Sequence, residues 1–226
     1  MRSGPLVIAH RGSHGEGVAE NTLASFEQAV ALGADMIELD VRRTADDELV
    51  VFHDHEVGGQ TVRSLGLPEL RERARTDVPR LSDVLDWACG QVALDVELKE
   101  DGYVERLAEL LVKFQDAGGG LLVTSFADPV LAQLRWLEAP PRCGLLIGAT
   151  SARAVDRAGA CGAASLVLQA QLVSEALLDE AVGAGLECLV WDFMPSTAGH
   201  AELLHDPRVA GVITDEVPGA LRLRGG

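Results

Sequence analysis

Nine short apolar runs alternate along the chain with longer segments of helical period. The runs are predicted strands at residues 6–9, 36–41, 49–52, 92–98, 121–124, 143–147, 165–168, 187–191 and 210–214. Between two of them, apolar side chains repeat at the spacing of one buried helical stripe, at Tyr103, Leu107, Leu110, Leu111 and Phe114. A similar stripe begins at Leu23, with Asn21 as the predicted N-cap of its helix. Such strand–helix units predict a parallel sheet covered by helices.

The third apolar run is predicted to be a return strand. Only the segment RRTADDE separates it from the second run, whereas a crossover between parallel strands needs about a dozen residues. It should therefore fold back antiparallel on the second strand, about a turn near residues 45–47. Eight parallel strands remain, which is the number in a TIM barrel. We predict an α/β fold, a TIM (β/α)8 barrel with an added antiparallel hairpin strand after the second strand, in one domain spanning residues 1–226.

Composition and charge limit the kinds of partner that this chain is expected to bind. The chain has 226 residues, of which 47% are hydrophobic, and a formal net charge of −16. The hydrophobic content argues against a disordered chain. A surface this acidic repels nucleic-acid backbones and anionic lipid headgroups. No stretch approaches the roughly 20 apolar residues that span a bilayer. We therefore expect no nucleic-acid partner, no stable membrane insertion, and a monomer or homodimer.

Two features of the sequence favour a cytoplasmic location. The apolar run within the first ten residues is about five residues long, which is too short for the core of a signal peptide. The four cysteines, Cys89, Cys143, Cys161 and Cys188, form no CxxC motif. We expect them to be reduced and to pack as small apolar side chains, as is usual in the cytosol.

Acidic side chains lie at the ends of two predicted strands. The run MIELDV carries Glu38 and Asp40, and ALDVELK carries Asp95, Glu97 and Lys99. Alternate strand residues share a face, so each set points the same way. A solvated polar pair on an edge strand is the alternative, but a closed barrel has no edges. Carboxylates facing a barrel interior repel unless a cation or proton lies between them. Oxygen ligands without Cys favour Mg²⁺ or Ca²⁺.

Two histidines follow neighbouring strands beside these carboxylates. His10 ends the run LVIAH, and His53 follows LVVF, where the hairpin register puts it roughly level with Asp40. A lone histidine after a strand is usually structural or exposed. With an ordinary pKa of about 6.5, however, one of two can be neutral while the other is protonated, as acid–base catalysis requires. The residues do not fix which is the base. His14 and His55 fall in predicted loops and are expected to be ordinary loop residues.

Arg11 and Lys99 are the cationic side chains expected around a phosphate. Arg can grip two oxygens at once, whereas Lys acts as a point charge. The alternative is that each pairs with a neighbouring carboxylate, and both roles can coexist.

These residues lie in segments that resemble a known family. IAHRGSHGEGVAENTLASFEQAVALGADMIELDVRRTADDELVVFHD resembles the opening of glycerophosphodiester phosphodiesterases, and VPRLSDVL and ALDVELK resemble the next two blocks. Ser125 with Phe126, Trp191 and the segment GVITDEVPGAL continue the resemblance, which covers nearly the whole chain. It implies a TIM barrel of the phospholipase C-like type that hydrolyses glycerophosphodiesters to glycerol 3-phosphate and an alcohol. A glycerol hydroxyl would attack phosphorus, and water would then open the cyclic phosphate.

The resemblance also implies roles for individual residues. It makes His10 and His53 the acid–base pair. It assigns a divalent cation, Mg²⁺ or Ca²⁺, to Glu38, Asp40 and Glu97. It gives a substrate-binding role, towards a small-molecule phosphodiester, to Arg11, Lys99, Glu20, Asn21 and Trp191.

Three segments depart from the pattern of this family. Ala19 stands where the family often has Pro, and residues 55–79 are shorter than its usual insertion. The segment VWDFM replaces a Trp-Thr-Val-Asn pattern and puts Asp192 and Met194 near the predicted mouth of the site. Substrate choice therefore stays open between glycerophosphodiesters and a lysophospholipase D-like or other phosphodiester. A non-catalytic ligand-binding barrel is the alternative from another class, but it predicts the loss of a histidine or a ligand, and all are present.

Overall fold

Eight parallel strands close into a barrel in the computed structural model, which describes residues 4–225. The two ends of the predicted 1–226 domain thus lie outside the described residues. In chain order the strands are β1 (Leu6–His10), β2 (Met36–Arg43), β3 (Leu49–Val51), β4 (Glu56–Val57), β5 (Gln60–Thr61), β6 (Ala93–Leu98), β7 (Leu121–Ser125), β8 (Cys143–Ile147), β9 (Ser165–Gln169), β10 (Glu187–Trp191) and β11 (Val209–Thr214). The barrel consists of β1, β2 and β6 to β11, and it closes because β1 pairs with both β2 and β11. This is the predicted TIM barrel.

Helices cover the outside of the barrel. They are α1 (Leu23–Leu32), α2 (Leu67–Ala74), α3 (Leu81–Ala88), α4 (Val104–Asp116), α5 (Asp128–Leu134), α6 (Ala154–Cys161), α7 (Glu175–Gly183), α8 (His200–Leu203) and α9 (Val217–Gly225). Within residues 4–225, none of these helices has the length and apolar character needed to cross a membrane.

The added hairpin strand is present as predicted. Strand β3 pairs antiparallel with β2, with Val41 opposite Val51. The backbone N–H of Phe52 donates to the backbone carbonyl of Asp40 over 2.9 Å. The next residue, His53, therefore follows the hairpin at about the height of Asp40. The chain then leaves the barrel and returns beside the same strand, where Val51 N–H donates to Pro79 O over 2.9 Å. The excursion, residues 52–80, contains β4, β5 and α2. A separate apolar cluster joins it to Val50 of β3 and consists of Val50, Val62, Leu65, Leu67, Leu70 and Val78.

The alternation of side chains along the strands separates two apolar layers. Ile37, Leu39 and Val41 on β2 are buried in the large cluster between barrel and helices. A second cluster fills the inside of the barrel and consists of Ile8, Leu122, Leu146, Val167, Leu189 and Ile213. Burial of each such side chain contributes about 1.5–3 kcal/mol. Polar side chains on the inward face therefore lie above this apolar cluster, at the carboxyl ends of the strands.

The start of α1 differs from the sequence prediction. Its N-cap is Thr22, whose hydroxyl accepts from Ser25 N–H, while Ser25 Oγ accepts from Thr22 N–H, each over 3.2 Å. Asn21 has a left-handed backbone, with φ of 56°, and its side-chain amide donates to Asp40 instead. A hydrogen bond to a carboxylate is stronger than one between neutral groups. The buried charge of Asp40 therefore takes the side chain that the local pattern had assigned to the helix end.

Candidate active site

Three buried carboxylates converge at the carboxyl ends of β2 and β6. Because the two strands pair in parallel with Asp40 opposite Glu97, both side chains leave at one height, and Glu38 lies one step below Asp40 on the same face. One carboxylate oxygen from each residue lies within 4.8 Å of the other two. Oε1 of Glu38 is buried and has no hydrogen-bond partner among the described residues. A converging set of oxygen donors with an unpartnered atom fits a divalent cation.

Burial works against ionisation of this cluster. It raises the pKa of Glu38 well above its ordinary value, with further contributions from the charges of Asp40 and Glu97. Burial is also the largest cause of the raised pKa of Glu97. For Asp40, burial would raise the pKa, but Lys99 and Arg11 outweigh it and hold the pKa below its usual range. The cluster therefore combines one firmly ionised carboxylate with two whose ionisation is opposed by burial.

Lys99 bridges two of the three carboxylates. Its ammonium nitrogen lies 2.8 Å from Asp40 Oδ1 and 2.7 Å from Glu97 Oε1. Burial alone would lower the pKa of Lys99, but the two carboxylates raise it above the ordinary value, so the side chain stays charged. The carboxylate pairing that the sequence left open is thus observed.

Arg11 is held in place from three directions. Its guanidinium Nε lies 3.1 Å from Asp40 Oδ2, and its Nη1 donates to Glu20 over 2.8 Å. Its backbone, in the left-handed region with φ of 53°, donates its N–H to Glu38 Oε2 over 3.0 Å. Asn21, which is only 4% exposed, donates to Asp40 Oδ2 over 2.7 Å. Glu20 and Asn21 thus brace the arginine and the carboxylate cluster.

The two predicted histidines lie at the same end of the barrel. His10 Nδ1 is 2.7 Å from Asp215 Oδ1, and its Nε2 is 3.9 Å from Glu38 Oε2. His53 Nδ1 is 2.9 Å from Asp54 Oδ1. Both rings line the cavity described next, so each has one nitrogen bound to a carboxylate beside a common space.

A cavity of about 210 Å³ joins these groups. Its polar lining consists of His10, Arg11, Glu38, His53, Asp95, Glu97, Lys99 and Thr124. The rest of the lining is apolar and consists of Phe126, Leu146, Trp191 and Ile213. The cavity therefore sets a charged wall against an apolar one.

The apolar wall is fixed by an aromatic pair. The rings of Phe126 and Trp191 meet edge to face, with centroids 5.7 Å apart, and the indole N–H donates to the carbonyl of Ile147 over 3.1 Å. A Cβ at Gly148 would lie 3.0 Å from both rings, so a glycine there allows the pair to approach the backbone. Asp192, next to this wall, accepts from Gln169 and is not among the residues that line the cavity.

Asp95 is a fourth buried carboxylate in the lining. Its Oδ1 accepts from Thr124 Oγ1 over 2.8 Å, and Oδ2 has no hydrogen-bond partner within residues 4–225. Burial raises its pKa to about 8, against the opposing effect of the Thr124 hydrogen bond, with a further increase from Glu97. The sequence pattern placed this side chain on the inward face but gave it no role.

Sequence reasoning missed Asp215, and it treated His14 as an ordinary loop residue. Asp215 follows β11 directly, at the carboxyl end of the last barrel strand. It contacts both His10 and His14, the latter with 3.3 Å between His14 Nε2 and Asp215 Oδ1. The rule that carboxyl-end polar residues mark the site would have found Asp215.

Fold and site together define a TIM barrel with a cluster of buried carboxylates that could hold a cation, beside the cationic side chains of Arg11 and Lys99. Residues 10–218 match the sequence model of the glycerophosphoryl diester phosphodiesterase family. The chain belongs to this family.

Individual relatives match parts of the chain. A glycerophosphodiester phosphodiesterase of Bacillus altitudinis is 32% identical over 148 residues, which cover 56% of this chain and 60% of that protein. A lysophospholipase D of Homo sapiens is 42% identical over 129 residues, which cover 47% of this chain and 41% of that protein. With the first curated relatives, the match spans about half of their length.

Solved structures share the fold over the whole barrel. A phosphodiesterase of Oleispira antarctica, solved in complex with the product sn-glycerol-3-phosphate, superposes with a TM-score of 0.82 at 23% identity. The superposition covers 99% of this chain and 98% of that one. At 23% identity, this structural similarity shows that the two proteins share a fold.

Proposed function

We propose that this protein is a metal-dependent phosphodiesterase that hydrolyses glycerophosphodiesters to glycerol 3-phosphate and an alcohol. The observation that carries the proposal is the convergence of Glu38, Asp40 and Glu97 in a cavity that two histidines also line. Family membership supports it. So does the product named for a protein of the same fold.

Glu38, Asp40 and Glu97 would hold a divalent cation. Their all-oxygen donor set favours Mg²⁺ or Ca²⁺ over softer metals. A cation bound there supplies charge stabilisation to phosphate oxygens in the transition state. The unpartnered Oε1 of Glu38 and the burial that raises the pKa values of Glu38 and Glu97 support this assignment.

Arg11 and Lys99 would bind the phosphate. Both are already tethered to carboxylates, Arg11 to Asp40 and Glu20, and Lys99 to Asp40 and Glu97. Their positions are therefore set before a substrate arrives, and little ordering is needed at the moment of reaction. A planar guanidinium can bind two phosphate oxygens at once, whereas the ammonium of Lys99 offers a compact charge. Trp191 would close the opposite side of the substrate.

His10 and His53 would move the protons. One histidine accepts the proton of a glycerol hydroxyl while the oxygen of that hydroxyl bonds to phosphorus. The other histidine protonates the oxygen of the departing alcohol as the bond between that oxygen and phosphorus breaks. In a second step, water bonds to the phosphorus of the cyclic phosphate while the ring P–O bond to the attacking glycerol oxygen breaks. One histidine takes the proton of the water, and the other protonates the released glycerol oxygen. Glycerol 3-phosphate is then released. Both rings are partly exposed to the cavity, as proton transfer to a bound substrate requires.

The test is a substrate screen with the purified chain. Metal is removed with EDTA, MgCl₂ or CaCl₂ is restored, and release of glycerol 3-phosphate from a panel of glycerophosphodiesters is followed by ³¹P NMR. We expect release with at least one cation, loss with EDTA and recovery on re-addition. Glu38→Gln, which keeps the shape of the side chain but removes its charge, should bind metal weakly and lose activity. No glycerol 3-phosphate from any diester with either cation would overturn the proposal.

A lysophospholipase D-like activity is the second candidate. The apolar wall favours it, because Phe126 is 43% exposed beside the cavity and could contact an acyl chain. Comparing glycerophosphocholine with lysophosphatidylcholine distinguishes the two substrates. If the lipid is preferred, Phe126→Ala should lower kcat/KM for lysophosphatidylcholine and leave that for glycerophosphocholine within about twofold.

We also propose that the protein acts in the cytoplasm on a small-molecule phosphodiester, as a monomer or homodimer and without nucleic acid. The formal net charge of −16 supports the exclusion of nucleic acid. Cell fractionation and light scattering after size exclusion test the location and the oligomeric state.

A further inference from the structure

The closure of the barrel brings His10 and Asp215 together. Strands β1 and β11 pair in parallel with Ala9 opposite Thr214, so the next residue of each strand leaves the sheet beside the other. The result is a distance of 2.7 Å between His10 Nδ1 and Asp215 Oδ1. This contact joins residues 205 positions apart, and it depends on the final pairing that closes the barrel.

The chemistry of a carboxylate fixes the direction of this hydrogen bond. An ionised carboxylate only accepts, so Nδ1 of His10 must carry the hydrogen. Hydrogen bonds from His10 and His14 lower the pKa of Asp215 from its ordinary value, which keeps the carboxylate ionised. In neutral His10 the lone pair is then on Nε2, the nitrogen on the side of Glu38.

We infer that Asp215 is a positioning residue for His10, which it holds as the Nδ1–H tautomer with Nε2 free to exchange a proton with substrate. The inference rests on the proposed function and deepens it. Where a carboxylate orients a histidine in this way, its loss leaves the ring in place but in the wrong tautomer or rotation.

His14 restrains the carboxylate in turn. Its Nε2 lies 3.3 Å from the same oxygen of Asp215 that contacts His10, so the carboxylate is held between two rings. The hydrogen bond with Asp215 raises the pKa of His14, which favours its charged, donating form. His53 is held differently, because its partner Asp54 is its own neighbour in the chain. Of the two proposed catalytic histidines, His10 is thus the one whose orientation depends on a residue distant in the sequence.

The first test reads the tautomer without any assay of activity. The full chain with Mg²⁺ is labelled with ¹⁵N-histidine, and long-range ¹H–¹⁵N spectra separate protonated from unprotonated ring nitrogens. His10 is assigned by the signals that disappear in His10→Gln. We expect a protonated Nδ1 and an unprotonated Nε2 in neutral His10. An Nε2–H tautomer in the wild-type protein would overturn the inference.

The second test separates positioning from binding. Asp215→Asn should lower kcat by about 10–100-fold, the usual cost of removing an orienting hydrogen bond, and leave KM within about twofold. Asp215→Glu should recover part of kcat. Glu216→Gln is the matched control, because it removes the same charge one residue later from a side chain that forms no ion pair within residues 4–225.

The outcomes distinguish this inference from the proposed function. Unchanged kcat and an unchanged His10 tautomer in Asp215→Asn would reject the positioning role. If Asp215→Asn does not fold, the spectrum of the wild-type protein and the kcat of Asp215→Glu decide the question instead. A wild-type protein that releases no glycerol 3-phosphate fails the proposed function, while its histidine spectrum still tests the contact.

Discussion

At the scale of single residues, Lys99 supplies positive charge to the buried carboxylates of the site. Its ammonium compensates Asp40 and Glu97, two of the carboxylates proposed to bind the cation. Removing one partner from a buried charge cluster costs about 3–5 kcal/mol when the remaining charge is uncompensated. A divalent cation would supply part of that compensation.

Lys99→Met should therefore destabilise the metal-free protein far more than the metal-bound one. We expect the free energy of unfolding to fall by about 3 kcal/mol in EDTA and by clearly less with saturating Mg²⁺ or Ca²⁺, measured by urea denaturation. Arg106→Met is the control, because its pair with Glu109 is half exposed and such pairs contribute at most about 1 kcal/mol. Equal losses with and without metal would show that the cation does not share the carboxylates of Lys99.

The histidines should matter for rate and little for stability. His10→Ala and His53→Ala should each lower kcat at least about 100-fold, the range for loss of a general acid or base. Both side chains are about one third exposed, 31% for His10 and 36% for His53, so the thermal midpoint should change little. Steady-state kinetics and thermal denaturation check this. A variant with near-native kcat would remove that histidine from the mechanism.

Asp95 makes the stability of the metal-free protein depend on pH. Its folded pKa of about 8 lies above the ordinary value of about 3.9, so folding favours its protonated form. The stabilising contribution of protonated Asp95 is fully present below about pH 4 and is lost as pH rises towards 8. Ionisation of the buried Asp95 therefore opposes folding at alkaline pH, as does ionisation of Glu38 and Glu97, whose pKa values burial also raises.

Asp95→Asn should flatten this dependence. The amide oxygen can still accept from Thr124, and no proton is bound. We expect the variant in EDTA to be more stable than the wild type at pH 8 by at least about 1 kcal/mol, since one pKa unit corresponds to about 1.4 kcal/mol. The two proteins should converge near pH 4. Urea denaturation at several pH values measures the difference, and parallel profiles would contradict the raised pKa.

At the scale of elements, the connection between β1 and α1 contains two glycines with left-handed backbones in different surroundings. Gly12 has φ of 82°, and a Cβ there would lie 2.5 Å from Ser25 Oγ in the capping box of α1. Gly17, in the same connection, also has φ of 82° but has no heavy atom within 4 Å of such a Cβ. Substitutions at Gly17 and Gly12 therefore separate the cost of backbone strain from the cost of a steric clash.

Gly17→Ala should cost about 1–2 kcal/mol, the cost of a left-handed backbone in a residue with a Cβ. Gly12→Ala should cost about 1–3 kcal/mol more, because Ser25 and the first turn of α1 must move. It should also lower kcat, since Arg11 lies next to Gly12. Chemical denaturation and kinetics measure both effects. Equal losses of stability would show that the contact with Ser25 carries no energy.

The nine strands of the barrel sheet could be predicted from the sequence because each is a local apolar run between turn signals. Strands β4 and β5 were not predicted, because two-residue strands at Glu56–Val57 and Gln60–Thr61 leave no such run. The return strand followed from the shortness of RRTADDE, and its pairing with β2 is confirmed. The N-cap was wrong, because Asn21 is recruited by Asp40, a residue that only the fold brings near. Alternation placed Glu38, Asp40 and Glu97 together, whereas the link from Asp215 to His10 required the pairing of the first strand with the last.

At the scale of the whole molecule, the formal net charge of −16 means that a bound cation should raise the free energy of unfolding. Divalent cation at about 100 times its Kd should add about 2.7 kcal/mol. For a chain of this length, that corresponds to a rise in Tm of about 5–10 °C. Differential scanning fluorimetry after EDTA treatment measures it.

NaCl at matched ionic strength is the control for this prediction, because salt alone reduces repulsion on an acidic surface. Glu38→Gln should respond to MgCl₂ or CaCl₂ as it does to NaCl. An equal rise of Tm in the wild type with NaCl would show screening rather than binding.

The excursion at residues 52–80 has a consequence for how this barrel can change. It leaves and re-enters the barrel at neighbouring points, where Val51 meets Pro79 and Val50 meets Arg80, and most of its apolar side chains pack in a separate cluster with Val50 of β3. The cost of closing a loop grows slowly with its length. A longer or shorter segment between Asp54 and Val78 would change the surface beside His53, which lines the cavity, and leave the strand pairing untouched. New specificities can thus arise by exchange of one insert on a constant catalytic frame.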